Sequence, residues 1–174
     1  MTTRRTLIVA TAAAAVSAPA LAHARPKGGR TLRVALDYVE NFLGRADVAA
    51  ADRTLDPDVV VVTGLSPQGP IRGLAAYKPI FLEFHQAFPP IDPANPMKII
   101  DAFDTRDRAV VRFHFRARHA RDYFGVRATN REILLDETHV MRLAGGKVVE
   151  NVVSATNLEF EMLMAPALTP LILK

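Results

Sequence analysis

The chain has 174 residues, 49% of them hydrophobic, which suffices for one compact domain and falls short of two of ordinary size. It contains no cysteine, which excludes disulfides, thiolate nucleophiles and thiolate-bound metals. Its net charge is +4, but Arg4 and Arg5 lie in a leader segment; without them 20 bases face 18 acids, which is weak ground for a nucleic-acid partner, and none is expected.

Residues 1–24, MTTRRTLIVATAAAAVSAPALAHA, read as a cleaved export signal. They have a basic start, an apolar Ala/Val/Leu run and A-x-A patterns at Ala20-Leu21-Ala22 and Ala22-His23-Ala24. The twin arginines before Thr6-Leu7-Ile8 resemble a Tat signal; without the usual lysine after Leu7, a Sec signal is the alternative. An uncleaved membrane anchor competes, but the run is Ala-rich, broken by Ser17 and Pro19, and shorter than the roughly 20 apolar residues a span needs. The mature protein is therefore expected in the periplasm or secreted, free of the membrane. Residues 25–30 form a leader and 31–174 a single domain.

In chain order, TLRVALDYVENFLG spaces Leu32, Ala35, Leu36, Val39, Phe42 and Leu43 as one helical face, stopped by Gly44. ADVAAADRTL is a second, short helix, PDVVVVTG a strand, and SPQGPIRG a loop. LAAYKPIFLEFHQAF is a third helix, ended by Phe88-Pro89-Pro90. Strands follow at about 97–104, 109–117, 133–143 and 147–153, with Gly145-Gly146 as a hairpin turn, then a short helix over 158–164 and an apolar tail. Three early helices followed by a strand meander predict an α+β fold, with helices packed on one face of a curved antiparallel sheet.

Strand alternation sorts the polar residues. In 109–119 the odd positions are Ala109, Val111, Phe113, Phe115, Ala117 and His119, so His119 is directed inward and His114 outward. In 133–143 the odd positions are Ile133, Leu135, Glu137, His139, Met141 and Leu143, which sends Glu137 and His139 into the interior together. A buried carboxylate needs a partner, a watered cavity or a raised pKa. His139 supplies the first, and with His119 the three have the makings of a general acid/base site. The competing readings are a hydrogen-bonded core histidine and a rim ion pair.

The segment ARHARDYFGVRATNREI resembles G-T-H-x-G-x-F-x-G-x-P-x-T-G-R-x-V of SnoaL-like polyketide cyclases, with His119, Gly125, Thr129 and Arg131 on the motif's own residue types and Tyr123 for its Phe. HQAFPPI resembles R-x-A-F-P-D-L, and MRLAGGKVVEN resembles R-x-x-D-G-K-I-x-E-H. The resemblance spans nearly the whole mature chain. It implies the nuclear-transport-factor-2-like cone, an internal pocket, no metal or cofactor, and acid/base closure of a polyketide by an Asp on or after the last strand. That segment, E-H-W-x-x-x-D in the family, is here Glu150-Asn151-Val152-Val153-Ser154-Ala155-Thr156. Thr156 cannot serve as a base at neutral pH, so proton transfer moves to His139, Glu137 or His119.

Tyr38 and Tyr123 are candidate hydroxyl donors to a substrate carbonyl, with plain packing as the competing role. Phe42, Phe84, Phe113, Phe115 and Asn151 complete the candidate substrate-binding set. No H-E-x-x-H, nucleophile elbow or phosphate-binding glycine loop occurs. Two functions remain: a cofactor-independent cyclase, isomerase or lyase on a small hydrophobic carbonyl compound, or a non-catalytic protein holding a hydrophobic ligand in the same cone. The resemblance also implies a homodimer paired through the open sheet face.

Overall fold

The computed structural model describes residues 28–173, so the expected signal and the first half of the leader lie outside the described residues. Helix α1 spans Arg30–Asp37 and continues as a π-helical turn over Tyr38–Leu43, in which Tyr38, Val39, Phe42 and Leu43 are all buried. Gly44 does not supply the expected stop. Its φ is −76°, and the chain turns at Ala46, whose φ is +56°. What Gly44 provides is clearance, since a Cβ there would stand 2.9 Å from Met97 Cγ. Asp47 then caps α2 (Val48–Thr54) by accepting the Ala49 N–H at 2.9 Å.

The sheet has six strands: β1 (Leu55–Val62), β2 (Ile71–Arg72), β3 (Met97–Asp104), β4 (Arg108–Arg118), β5 (Glu132–Ala144) and β6 (Lys147–Ala155). Their spatial order is β2-β1-β6-β5-β4-β3. The expectation of a curved sheet wrapped on helices holds, but the sheet is mixed: β1 lies parallel to β6, while every other pair is antiparallel. β2 also falls inside the stretch read as loop. Register shifts in the β1–β6, β3–β4 and β5–β6 pairs mark irregularities of the kind that bend strands. Gly145 and Gly146 have φ of +59° and +82°, the backbone a two-residue hairpin turn of the primed kind requires.

Alternation on β4 is clean. Ala109, Val111, Phe113, Phe115 and Ala117 are buried against α1 and the aromatic face of α3 (Leu74–Ala87), while Arg112, Arg116 and Arg118 face water. Those arginines pair across strands, Arg112 with Asp136 at 2.7 Å and Arg118 with Glu132 at 2.8 Å. The last helix, α4, runs over Leu158–Ile172, twice the expected length. Its buried Phe160, packed on Phe84 and Phe88, and its buried Met164 anchor it, and it continues through Pro166 and Pro170.

Candidate active site

Glu137 and His139 occupy inward positions of β5, as the alternation predicts. His139 is buried, and the Glu137 side chain is 22% exposed. Their side chains meet, His139 Nε2 lying 3.1 Å from Glu137 Oε2. On the other side of the imidazole, Asn151 Nδ2 lies 3.1 Å from His139 Nδ1 and donates to the Tyr38 hydroxyl, also at 3.1 Å. Tyr38 Oη is 2.9 Å from Tyr77 Oη. The second Glu137 oxygen accepts from Asn157 Nδ2 at 2.7 Å, and Asn157 Oδ1 in turn accepts the Asp136 N–H at 2.9 Å.

Six side chains from five parts of the chain thus form one line: Tyr77, Tyr38, Asn151, His139, Glu137 and Asn157. The π-helical turn delivers Tyr38, α3 delivers Tyr77, β5 the pair, β6 Asn151, and the β6–α4 junction Asn157. Burial pushes the Tyr38 phenol well above its ordinary pKa, with Tyr77 and the Glu137 charge adding to the effect. Tyr77 is raised for the same first reason, and Glu137 raises it further. Both therefore remain neutral hydroxyls near pH 7.

The line borders a cavity of about 120 Å³. Tyr77, Glu137, His139 and Asn157, with Thr63 and Glu161, supply its polar wall, and Leu43, Phe81, Phe84, Leu135, Phe160 and Leu168 most of its apolar one. A larger groove, about 680 Å³, opens on the outer side of the sheet among Lys98, His114, Arg116, Glu132 and Leu134. Its charged groups are water-exposed or already paired, as Arg116 is with Glu132 at 3.2 Å. The smaller cavity is the better candidate because it alone sets partly desolvated ionisable groups beside apolar walls. Among the described residues, no three His, Cys, Asp or Glu side chains gather in a metal-binding group.

The structure separates His119 from the pair. Phe113 lies opposite Glu137, so His119 falls six residues further along, roughly 20 Å at 3.3 Å per residue. There it stacks on Phe88 with centroids 4.7 Å apart, and its Nδ1 accepts the Thr129 N–H at 3.3 Å. Its Nε2 is buried without a partner among the described residues, and burial lowers its pKa.

Of the expected substrate-binding set, Phe84 lines the cavity, while Tyr38 and Asn151 stand directly behind it. Phe42, Phe113, Phe115 and Tyr123 do not line it. Phe42 packs on Tyr38 and Phe81, Phe113 on His139, Phe115 on His85, and Tyr123 on Phe84 and Phe88. Tyr77 and Asn157 are the residues sequence reasoning misses. For Tyr77, the i, i+4, i+7 series Tyr77, Phe81 and Phe84 on one helix was a usable signal; Asn157 left none. Thr156 and Val152, where the resemblance places an acid and a tryptophan, are both exposed and outside the cavity.

No curated protein matches the sequence. Solved structures share the fold at low identity. A candidate polyketide cyclase from Acidithiobacillus ferrooxidans superposes with a TM-score of 0.65 at 16% identity, covering 82% of this chain and 99% of that one. IdmH, a candidate polyketide cyclase from Streptomyces antibioticus, gives 0.62 at 17% identity over 76% and 96%. AclR, a candidate hydroxylase from Streptomyces galilaeus, gives 0.62 at 19% identity over 77% and 94%. In sequence, residues 33–160 match the SnoaL-like polyketide cyclase family. The chain belongs to that family.

Proposed function

We propose that the protein is a cofactor-independent acid–base enzyme that enolises a small hydrophobic carbonyl compound in the cavity beside Glu137. Family membership supports a cyclase- or isomerase-type function in general terms. The observation that carries the finer reading is the Glu137–His139 contact at 3.1 Å on the wall of an apolar cavity.

In this reading the Glu137 carboxylate takes a proton from the carbon next to the carbonyl, and the Tyr77 hydroxyl donates a hydrogen bond to the oxygen as it becomes an enolate. Returning the proton from Glu137 to a different carbon completes an isomerisation. Attack of the enolate carbon on a second carbonyl, with the proton going to the new alkoxide, completes a ring closure. His139 holds Glu137 in place through Nε2, and His119 takes no part because it lies too far away. A cavity of about 120 Å³, beside the roughly 150 Å³ that admits benzene, restricts the substrate to about one ring.

The N-terminal sequence supports action outside the cytoplasm, after export. Pairing of two copies through the outer sheet face belongs to the same reading. Its support is the cross-strand row Phe103, Val110, Val140, Val152 and Val62, three of which are exposed. Light scattering of the mature chain giving a monomer mass would remove that element.

The exposure of Thr156 and Val152 favours a second reading, a ligand-binding protein without turnover. Glu137→Gln and His139→Ala decide between them. Under the enzymatic reading Glu137→Gln melts close to the parent and His139→Ala, which empties a buried ring site, melts lower but stays folded; both keep ligand affinity and lose turnover on single-ring ketones. Binding without turnover by the parent itself supports the second.

A further inference from the structure

Asn151 stands at the centre of the buried line, where the family resemblance leads one to expect a histidine. Its Nδ2 group has two protons and two partners, His139 Nδ1 and Tyr38 Oη, each at 3.1 Å. Its Oδ1 is buried and has no partner among the described residues. Rotating the amide would leave two N–H donors orphaned instead of one oxygen, and buried orphan N–H groups are the rarer and costlier outcome. We propose that Asn151 is a positioning residue that fixes the proton directions of His139, Tyr38 and Tyr77: it makes His139 present Nε2–H to Glu137, and Tyr77 present its hydroxyl proton to the cavity.

Two consequences follow from donor counting alone. Because His139 Nδ1 accepts from Asn151, the remaining ring proton of the neutral imidazole sits on Nε2, 3.1 Å from Glu137 Oε2. Because Tyr38 Oη accepts from Asn151, its own proton must find another acceptor, and Tyr77 Oη at 2.9 Å is the one within reach. Tyr38 is fully buried, so the reverse direction would strand its proton, whereas Tyr77 borders the cavity. Tyr77 thus accepts from Tyr38 and is left with a free proton polarised by the bond behind it. One amide sets an acceptor and a donor along the same wall, the two groups that removal of a proton beside a carbonyl requires. The inference deepens the enzymatic reading, but the proton directions hold whether or not turnover occurs.

The test is imidazole nitrogen NMR on the 15N-labelled mature protein at pH 7.5, with His139 assigned by its loss in His139→Gln. His139 is expected as the neutral tautomer with a pyrrole-like Nε2 and a pyridine-like Nδ1. An Nδ1–H tautomer, or an imidazolium, in the parent overturns the proposal. Asn151→Asp replaces the two donors with acceptors and should convert His139 to the imidazolium pattern; an unchanged pattern in the folded variant overturns it too. Should that variant not fold, the parent spectrum still decides.

A second readout fixes the tyrosine direction. Tyr77→Phe takes away the acceptor of a buried Tyr38 proton and should lower Tm by roughly 3–6 °C. If Tyr77 were instead the donor, little would be orphaned, and a Tm within about 1 °C of the parent would refute that half. All these readouts are independent of activity, so their failure is distinct from failure of the enzymatic reading.

Discussion

Replacing Asn157 with aspartate tests the Glu137 environment without a substrate. The substitution keeps an oxygen to accept the Asp136 N–H, now 2.9 Å from Oδ1. It also puts a carboxyl where Nδ2 donates to Glu137 Oε1 at 2.7 Å. Two carboxylates relaxed to about 4 Å repel by about 4 kcal/mol at an effective dielectric of 20. That is a ceiling, because Glu137 keeps 22% of its side chain in water.

Sharing a proton is cheaper at low pH. Keeping one carboxyl neutral, against an ordinary glutamate pKa of about 4.3, costs about 1 kcal/mol at pH 5 and about 3.7 kcal/mol at pH 7. The variant therefore has a carboxyl whose folded pKa lies above its unfolded one. Its stability is intact below the unfolded pKa and is lost as pH rises through the folded value. The assay is urea denaturation of the parent, Asn157→Asp and Asn157→Ala between pH 4.5 and 8. The aspartate variant's deficit should grow by about 1.4 kcal/mol per pH unit from pH 5 towards 7. The alanine variant should lose about 2–3 kcal/mol with little pH dependence. A flat deficit for the aspartate variant would refute the Glu137–Asn157 contact and the site drawn around it.

Burial holds the His119 pKa below the usual histidine value. The unfolded chain then binds the extra proton below about pH 6.5, so stability is lost as pH falls from there towards the folded pKa, by up to about 1.4 kcal/mol per pH unit; His119→Phe should flatten thermal melts between pH 5 and 7. Gly73 has φ +87°, and a Cβ there would meet only ordinary contact with the Pro57 carbonyl at 3.6 Å. Gly73→Ala should therefore cost about 1–3 kcal/mol through backbone strain alone, read by chemical denaturation. Phe81 is buried in van der Waals reach of Phe42 and Phe84 on the cavity wall. Phe81→Ala should cost about 3–5 kcal/mol in denaturation and shift ligand preference towards larger rings in a binding panel.

The face each strand residue takes was legible because alternation is a local property. It placed His119, Glu137 and His139 inward from β4 and β5 alone. What alternation cannot give is position along the strand, so three inward groups read as one site although register puts His119 past the end of β4, six residues from the position that faces Glu137. The Asn157–Glu137 and Tyr38–Tyr77 contacts join residues 20 and 39 positions apart on different elements, and only the packed fold brings them together. The same limit hid the parallel β1–β6 pair, which sets Val61 beside Asn151 from the far end of the chain. Pro166 and Pro170 broke the helical pattern of the tail, yet Met164 and Leu168 keep α4 seated over the cavity. Asn151 was visible as a departure from the resembled motif, but its two donor contacts were not.

The claim that Glu137 removes a proton beside a carbonyl can be measured without knowing the natural substrate. Single-ring ketones incubated with the protein in deuterium oxide report α-hydrogen exchange by proton NMR. The account predicts exchange above the buffer rate with the parent and at the buffer rate with Glu137→Gln. Equal exchange by parent and Glu137→Gln, or none by a parent shown to bind the ketone, would contradict it.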